Sequence, residues 1–294
     1  MKQQIGIVGM GSLGSALARR LLDCGYRVSV FNRTRSKADK LINDGAMPVY
    51  DIQKIFSESC NIVIACLKDA DSIISTFAPL AGGGSQCRRH KLLINTSTLG
   101  PDESQRVDVF MRSIPSEYME FPVSGGPEGA RNGKLVAYMG PVVGTFLSVA
   151  RDIADALCER YLQMDSNYHA QAMKVLNNYC EAMNMAVAAE AIHLAEKTGL
   201  NKEMICSALP MGRGRSVYMD VLLDKYQRDD KSISFPLDLR VKDLLLVAPL
   251  FKQNELVSFF YSRLADAWEK ALDSNAVRVD QSAYLDFFKN YNVK

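Results

Sequence analysis

Along the first half of the chain, short apolar runs recur between segments whose apolar residues lie three and four apart. "QIGIVG" (4–9), "RVSVF" (27–31), "NIVIAC" (61–66), "KLLINTS" (91–97), "YMEFPVS" (118–124) and "KLVAYMG" (134–140) have the length and β-branched content of strands. Helices are expected between most of them, at 12–24, 36–44, 69–77 and 102–112. Strands that alternate with helices build a mainly parallel, doubly wound sheet with helices on its faces. The stretch "PLAGGGSQCRRH" (79–90) breaks the pattern and is expected to be a surface connection, with Arg88 and Arg89 solvated.

After about residue 165 the strand pattern stops. From Asn167 to Thr198 there is neither Gly nor Pro. Asp165, Ser166 or Asn167 can cap the start of a helix, and Gly199 stands where a C-terminal cap belongs. One helix of roughly 45–50 Å follows from a rise of about 1.5 Å per residue. Its middle is apolar on most faces, so other helices must surround it. Residues 201–294 read as further helices broken at Pro210, at "MGRGRS" (211–216), at Pro236 and at Pro249. The expected division is 1–165, α/β, and 166–294, all-helical, with 166–199 as the long connecting helix. That helix carries more apolar surface than its own short domain can cover, so a homodimer or homotetramer is expected.

Composition narrows the class. The chain has 294 residues, long enough for two domains, with 48% hydrophobic and 23% charged residues. A net charge of +2 implies no pull toward nucleic acid or an anionic membrane. No apolar run reaches membrane-spanning length, and "MKQQIGIVGMGS" lacks the long apolar core of a signal peptide. The cysteines, at 24, 60, 66, 87, 158, 180 and 206, are odd in number and form no C-x-x-C pair. They are expected as reduced thiols in a cytoplasmic protein. No metal is expected.

Chemistry enters at "IGIVGMGSLGSALARRL". Gly9, Gly11 and Gly14 follow a strand and open a helix, the setting in which a glycine loop binds a dinucleotide. Gly9 permits the tight turn, Gly11 lets backbone approach a pyrophosphate, and Gly14 lets helix pack on strand. Met10, Ser12 and Leu13 complete the loop, and the helix N-terminus offers N–H groups to the phosphates. This is the start of a Rossmann-type domain. The second strand ends in "VFNRTRSK", where an NAD site would carry Asp or Glu for the ribose hydroxyls. Asn32 stands there instead, followed by Arg33 and Thr34, with Arg35 and Lys37 nearby. Loss of the carboxylate and gain of Arg33 favour NADP(H) over NAD(H). The competing reading has Arg33 stacking over adenine, with no preference between cofactors.

Further along, Ser124, Gly125 and Gly126 end a strand, and their backbone N–H groups and hydroxyl suit a small carboxylate. Thr96, Ser97 and Thr98 also stand at a strand end, where ligands bind in such sheets; helix capping is an equal claim on each. Lys174 lies on the long helix with Asn178 at i+4 on the same face, while Asn177 points elsewhere. Interconversion of an alcohol and a carbonyl needs a group to take and return the hydroxyl proton. A lysine in a partly dry cleft near a cationic nicotinamide has its pKa lowered toward the working range. Alone, Lys174 reads as a snorkelling surface residue; with the glycine loop, an acid–base role is the better reading.

Together, "GIVGMGSLGSALARRL", "VFNRT", "CLKDAD", "LLINTSTLGPDES", "FPVSGGPEGARNGKL", "AMKVLNNY", "AEAIHLAEKTGL" and "FPLDLRVKDLLLV" resemble the β-hydroxyacid dehydrogenase family over nearly the whole chain. That family includes 3-hydroxyisobutyrate dehydrogenases, tartronate semialdehyde reductases and glyoxylate/succinic semialdehyde reductases. The resemblance implies Lys174 as catalytic lysine, Ser124, Gly125 and Gly126 as the substrate-carboxylate loop, and Asn178 as the asparagine that supports the substrate. It implies Leu67 and Lys68 along the cofactor, Thr98 near the nicotinamide, and Lys242 reaching cofactor and substrate. Phe235 and Asp243 fall with the substrate in the same "FPLDLRVKD" motif.

Some positions depart from the family. Tyr168 and His169 stand in place of glycines before the lysine, and Gly140–Pro141 replaces a double glycine. Arg213 and Arg215 in "MGRGRS" either bind a second carboxylate or sit in a solvated loop. The expected activity is NADP(H)-linked interconversion of a small 3- or 4-hydroxyacid, or glycolate, with its semialdehyde or glyoxylate. An imine reductase, which resembles the family in fold but replaces the lysine, is the alternative within enzymes. A non-catalytic NADP-binding scaffold or sensor is the alternative outside them. A 6-phosphogluconate dehydrogenase needs a much longer chain. "YDIQK" (50–54) imitates the Tyr-x-x-x-Lys of short-chain dehydrogenases but comes too early.

Overall fold

The computed structural model describes residues 3–56, 60–82 and 91–291. The proposed surface connection at 79–90 therefore falls largely outside the described residues, and Cys87, Arg88 and Arg89 with it. The chain divides into two compact units, Met1–Lys174 and Val175–Lys294.

The first unit alternates β1 (Gln4–Val8), α1 (Ser12–Asp23), β2 (Arg27–Phe31), α2 (Arg35–Asp39), β3 (Met47–Val49), α3 (Ile52–Ile55), β4 (Cys60–Ala65), α4 (Ala70–Phe77), β5 (Leu92–Asn95), α5 (Pro101–Met111) and β6 (Glu117–Glu120). These strands form one parallel sheet in the order β3-β2-β1-β4-β5-β6. The central strands read as continuous apolar runs because both faces are covered. Successive side chains still point to opposite faces. Ile5, Ile7, Ile62, Ile64, Leu92 and Ile94 pack with Leu17 and Leu21 of α1. Val8, Val63, Ala65 and Leu93 pack with Ile55, Phe77, Val107 and Met111 on the other side. The strand order turns back between β1 and β4, which opens a crevice at their carboxyl ends.

A second, smaller sheet was not anticipated. The run "YMEFPVS" is two strands, β6 and β7 (Val123–Ser124), with Phe121 and Pro122 between them. Pro122 has no N–H to give to a ladder, so the chain leaves the large sheet there. After α6 (Gly126–Asn132), β8 (Leu135–Met139) pairs antiparallel with β7. After α7 (Thr145–Leu157), β9 (Cys158–Gln163) pairs parallel with β8. Gly140 N donates to Glu120 O at 2.8 Å, so the small sheet abuts the end of β6.

α8 (Asn167–Lys197) is the expected long helix. Ser166 Oγ caps it by accepting from His169 N at 3.0 Å. Gly199, with φ of 89°, closes it, and its N–H donates to Glu196 O. The second unit continues with α9 (Lys202–Ala208), α10 (Val217–Arg228), α11 (Leu237–Leu245), α12 (Ala248–Gln253), α13 (Tyr261–Asp273) and α14 (Ala283–Tyr291). Small side chains on α8, among them Ala182, Ala186, Ala188 and Ala189, are buried against Leu222, Leu223, Leu244 and the fully enclosed Trp268. Trp268 stacks on Tyr284 with ring centroids 4.3 Å apart. Among the described residues, no helix is long and apolar enough to cross a membrane.

Candidate active site

In the first unit the glycine loop leaves β1 at Gly9, whose φ is 101°. A Cβ at Gly9 would stand 2.2 Å from Cys66 O, and one at Gly14 would stand 1.9 Å from Gly9 O. Both positions are therefore glycine because the protein's own backbone passes there. Gly11 differs: a Cβ there would meet nothing within 4 Å. It is the N-cap of α1, offers no side-chain cap, and is followed by no acidic residue in the first turn. An open cradle, a bare helix N-terminus and absence of negative charge in that turn fit a pyrophosphate. Met10 is buried, Leu13 half-buried, and Ser12 exposed beside Gly11.

Asn32 is engaged at both ends of its amide. Its Oδ1 accepts from Met10 N at 2.9 Å and its Nδ2 donates to Thr34 O at 2.9 Å. This ties the end of β2 to the glycine loop. Arg33, Thr34 and Lys37 are exposed just beyond. Arg35 lies over the Tyr50 ring at 5.1 Å, and Tyr50 in turn donates to Asp39.

At the neighbouring strand ends, Leu67 N donates to Ser97 Oγ at 2.9 Å, and Lys68 is exposed. The segment around Thr98 is gripped by one side chain of α8. Gln171 Nε2 donates to Ser97 O at 2.8 Å, and Gln171 Oε1 accepts from Leu99 N at 3.0 Å. Lys174 follows one helical turn later and is buried, at 5% exposure. Gln171 Nε2 also donates to Glu120 Oε2 at 2.6 Å, beside Asn95 Nδ2 at 2.8 Å. The Tyr118 hydroxyl donates to Glu120 Oε1 at 2.5 Å. Desolvation pushes the Glu120 carboxyl up to about 7; the bonds from Tyr118, Gln171 and Asn95 pull it down, and the charge of Asp108 adds to the rise. Ser124, half-buried, precedes Gly125 and Gly126, whose φ values are 121° and 61°. A Cβ at Gly126 would meet nothing within 4 Å, so its backbone faces open space.

In the second unit Asn178, Lys242 and Asp243 come together. Asn178 Nδ2 donates to Asp243 Oδ2 at 2.9 Å, and Lys242 Nζ lies 3.5 Å from Asp243 Oδ1. Asn177 turns the other way and donates to Glu181 at 2.6 Å. Phe235 is half-buried, and the Arg240 guanidinium lies 4.9 Å over its ring. Arg215 is paired with Asp220, which supports the solvated-loop reading for it.

Residues 4–159 match the family model for the NAD-binding domain of 6-phosphogluconate dehydrogenase. Residues 169–288 match the one for the NAD-binding region of NADP-dependent 3-hydroxyisobutyrate dehydrogenase. The chain belongs to the β-hydroxyacid dehydrogenase family. It is an NAD(P)-dependent oxidoreductase acting on CH–OH donors. It is 25% identical to 2-(hydroxymethyl)glutarate dehydrogenase of Eubacterium barkeri, over 96% of this chain and 93% of that one. It is 25% identical to glyoxylate/succinic semialdehyde reductase 1 of Arabidopsis thaliana, over 97% and 98%. A solved structure of Psf3 in complex with NADP+ and 2-OPP superposes with a TM-score of 0.83 at 27% identity, covering 97% of this chain and 99% of that one.

Two features of this β-hydroxyacid dehydrogenase escaped the sequence reading. One is the Glu120–Gln171–Asn95 network. The other is Arg240, 1% exposed, whose Nη2 donates to Glu181 Oε2 and Tyr218 Oη, each at 2.8 Å. Its Nε donates to Gln281 Oε1 at 2.8 Å. The signal for Arg240 was present: an arginine inside the helical pattern "LDLRVKDLL", at a position whose i+1 and i+4 neighbours, Val241 and Leu244, are core residues.

Proposed function

We propose that the protein reduces a small carboxylate-bearing semialdehyde, or glyoxylate, with NADPH, and oxidises the matching 3- or 4-hydroxyacid or glycolate in reverse. The observation that carries this reading is Lys174: a buried amine one turn beyond the glutamine that grips the Ser97–Leu99 segment. When bound, the dinucleotide supplies or takes the hydride. Lys174 gives its proton to the substrate oxygen during reduction and takes it back during oxidation. Ser124 and the backbone of Gly125 and Gly126 hold the substrate carboxylate. Asn178, Phe235, Lys242 and Asp243 assist in binding. Gly9 to Gly14, Asn32, Arg33, Thr34, Lys37, Leu67, Lys68, Thr98 and Lys242 are the residues for the cofactor. In this reading residues 1–165 bind the cofactor and 166–294 serve substrate and assembly. The names of both curated relatives denote carboxylate substrates, which agrees with the chemistry of the Ser124 loop. Oxidation of NADPH against glyoxylate, succinic semialdehyde, tartronate semialdehyde and methylmalonate semialdehyde tests it. Turnover of a cyclic imine with none of these acids would instead indicate an imine reductase.

The preference for NADP(H) rests on the side chains past β2. Asn32 brings no carboxylate, and Arg33 is exposed to meet a 2′-phosphate. Arg33→Ala should raise KM for NADPH by roughly 10–100-fold, the worth of a charge-assisted bond, and leave KM for NADH unchanged. Equal effects on both cofactors would instead fit stacking on adenine.

We also propose a homodimer or homotetramer. Leu176, Cys180, Val187 and Leu194 recur along one side of α8, and Val187 and Leu194 are 54% and 66% exposed. An apolar stripe of this kind marks an interface. Val187→Asp with Leu194→Asp should convert the assembly to monomers by light scattering; a wild-type monomer rules the proposal out. Cys24, Cys60, Cys66, Cys158, Cys180 and Cys206 are free, which suits the cytoplasmic location proposed.

A further inference from the structure

We propose that Glu120 is a positioning residue for the reaction: as a carboxylate it clamps the Thr98 segment and the Lys174 turn of α8 in register through Gln171. The clamp rests on the reading of Lys174 given above.

The geometry is that of one acidic group holding three elements. Glu120 ends β6 and is fully enclosed. Its three side-chain partners, Asn95 on β5, Gln171 on α8 and Tyr118 on β6, are all neutral donors. Asn95 passes the hold onward, since its Oδ1 accepts from Ser97 N at 3.1 Å and Ser97 Oγ accepts from Leu67 N. Gln171 closes the other route, bonding the backbone on both sides of Thr98. Asn167 adds a second tie between α8 and β6, accepting from Glu120 N and donating to Asp108. Three groups assigned above to cofactor and chemistry, Leu67, Thr98 and Lys174, thus stand one bond or one helical turn from this network.

Packing alone does not ask for an acid at position 120. A glutamine of the same shape could accept from Asn95 and Gln171 and donate to the Tyr118 oxygen. A buried carboxylate among neutral donors costs more than such an amide. Its return is strength, because bonds to an ionised acceptor are roughly twice as strong as neutral ones. Two titratable groups act on it: Tyr118, which donates to the carboxylate, and Asp108, whose charge opposes ionisation. On protonation at Oε1, Tyr118 turns to accept, and Gln171 and Asn95 are left on a neutral oxygen. The grip on Ser97 and Leu99 then loosens as pH falls through about 7.

Stability has the opposite sign. The carboxyl's folded pKa lies above its ordinary 4.5, so its contribution to stability is fully present below that value and lost as pH rises through about 7. A residue that only braced the fold would lose activity and stability together; this one loses activity where it gains stability.

The test measures kcat and melting temperature from pH 5.5 to 9 for the wild type and Glu120→Gln. Wild-type kcat should fall about 10-fold from pH 8 to pH 6, one unit below the midpoint. Glu120→Gln should lose this acid limb, sit near the lower level at both pH values, and no longer melt higher at pH 6 than at pH 8. Wild-type kcat with an unchanged acid limb in the variant overturns the proposal. Should Glu120→Gln fail to fold, Tyr118→Phe decides. Loss of one donor raises the carboxyl's pKa, so the limb must move to higher pH; an unmoved limb sinks the clamp. Hydrogen exchange at the Leu99 amide, corrected for intrinsic rate, reads the clamp without turnover: protection should drop from pH 8 to pH 6 in wild type only. If no substrate turns over, the reaction is wrong, and exchange still judges the clamp.

Discussion

Lys174→Ala should lower turnover by about 10²–10⁴-fold, the range expected for loss of a positioned general acid, while NADPH binds as before. The cradle at Gly11 is open, and the Asn32 amide is engaged by Met10 and Thr34, so fluorescence titration of NADPH should give an unchanged Kd. Lys174→Arg should not rescue the rate. Guanidinium keeps the charge but does not release its proton in the working range. Turnover within a few-fold of wild type in the alanine variant would remove Lys174 from the chemistry and leave the reaction without its proposed acid.

Arg240→Met should cost the second unit about 3–5 kcal/mol, because it strands Glu181 as a buried charge. The donors Tyr218 and Asn177 would remain on Glu181, but both are neutral. Tyr218 gives little relief: desolvation holds its phenol well above the usual tyrosine range, so it remains a neutral donor. Urea unfolding reads the loss. Adding Glu181→Gln should recover part of it, since the second change removes the stranded charge rather than another favourable contact. Equal costs that simply add would mean that the ion pair contributes nothing beyond its two side chains. Arg240 also lies over the Phe235 ring, so substrate KM should rise along with the loss of stability.

The parts of this protein that were legible in the sequence are those with a local signature. Central strands such as β1 and β4 carry unbroken apolar runs, and the glycine loop follows one of them directly. α8 declared itself by the lack of Gly and Pro over its length and by Gly199 at its end. In the second sheet β8, expected as the strand "KLVAYMG", had such a mark, and its two partners had none. β7 is two residues long, and β9, "CERYLQ", exposes most of its side chains and so shows no alternation. α7, "TFLSVARDIADAL", is absent from the expected helices although its buried residues, Ala150, Ile153, Ala154 and Leu157, have helical spacing. Of the candidate site, Lys174 and Asn178 could be paired by spacing on one helix. The partners that fix them could not. Glu120 reads as a polar residue near a strand end, and Gln171 as one more polar position on α8. Their contact joins residues 51 positions apart, which only tertiary structure brings together.

The region before α11 is held by chain that comes much later. Asp280 Oδ2 accepts from Ser234 N and Phe235 N at 2.7 and 2.9 Å, Leu237 N donates to Val279 O, and Gln281 receives Arg240. A nascent polypeptide that has emerged only as far as Asp273 therefore has Glu181 and Tyr218 to hold Arg240, but neither Gln281 for its Nε nor Asp280 for the Phe235 backbone. Closing that loop must wait until Val279, Asp280 and Gln281 have been made, so a ribosome stalled just before them would leave the segment around Phe235 without these ties while the parallel sheet of the first unit is already complete in sequence.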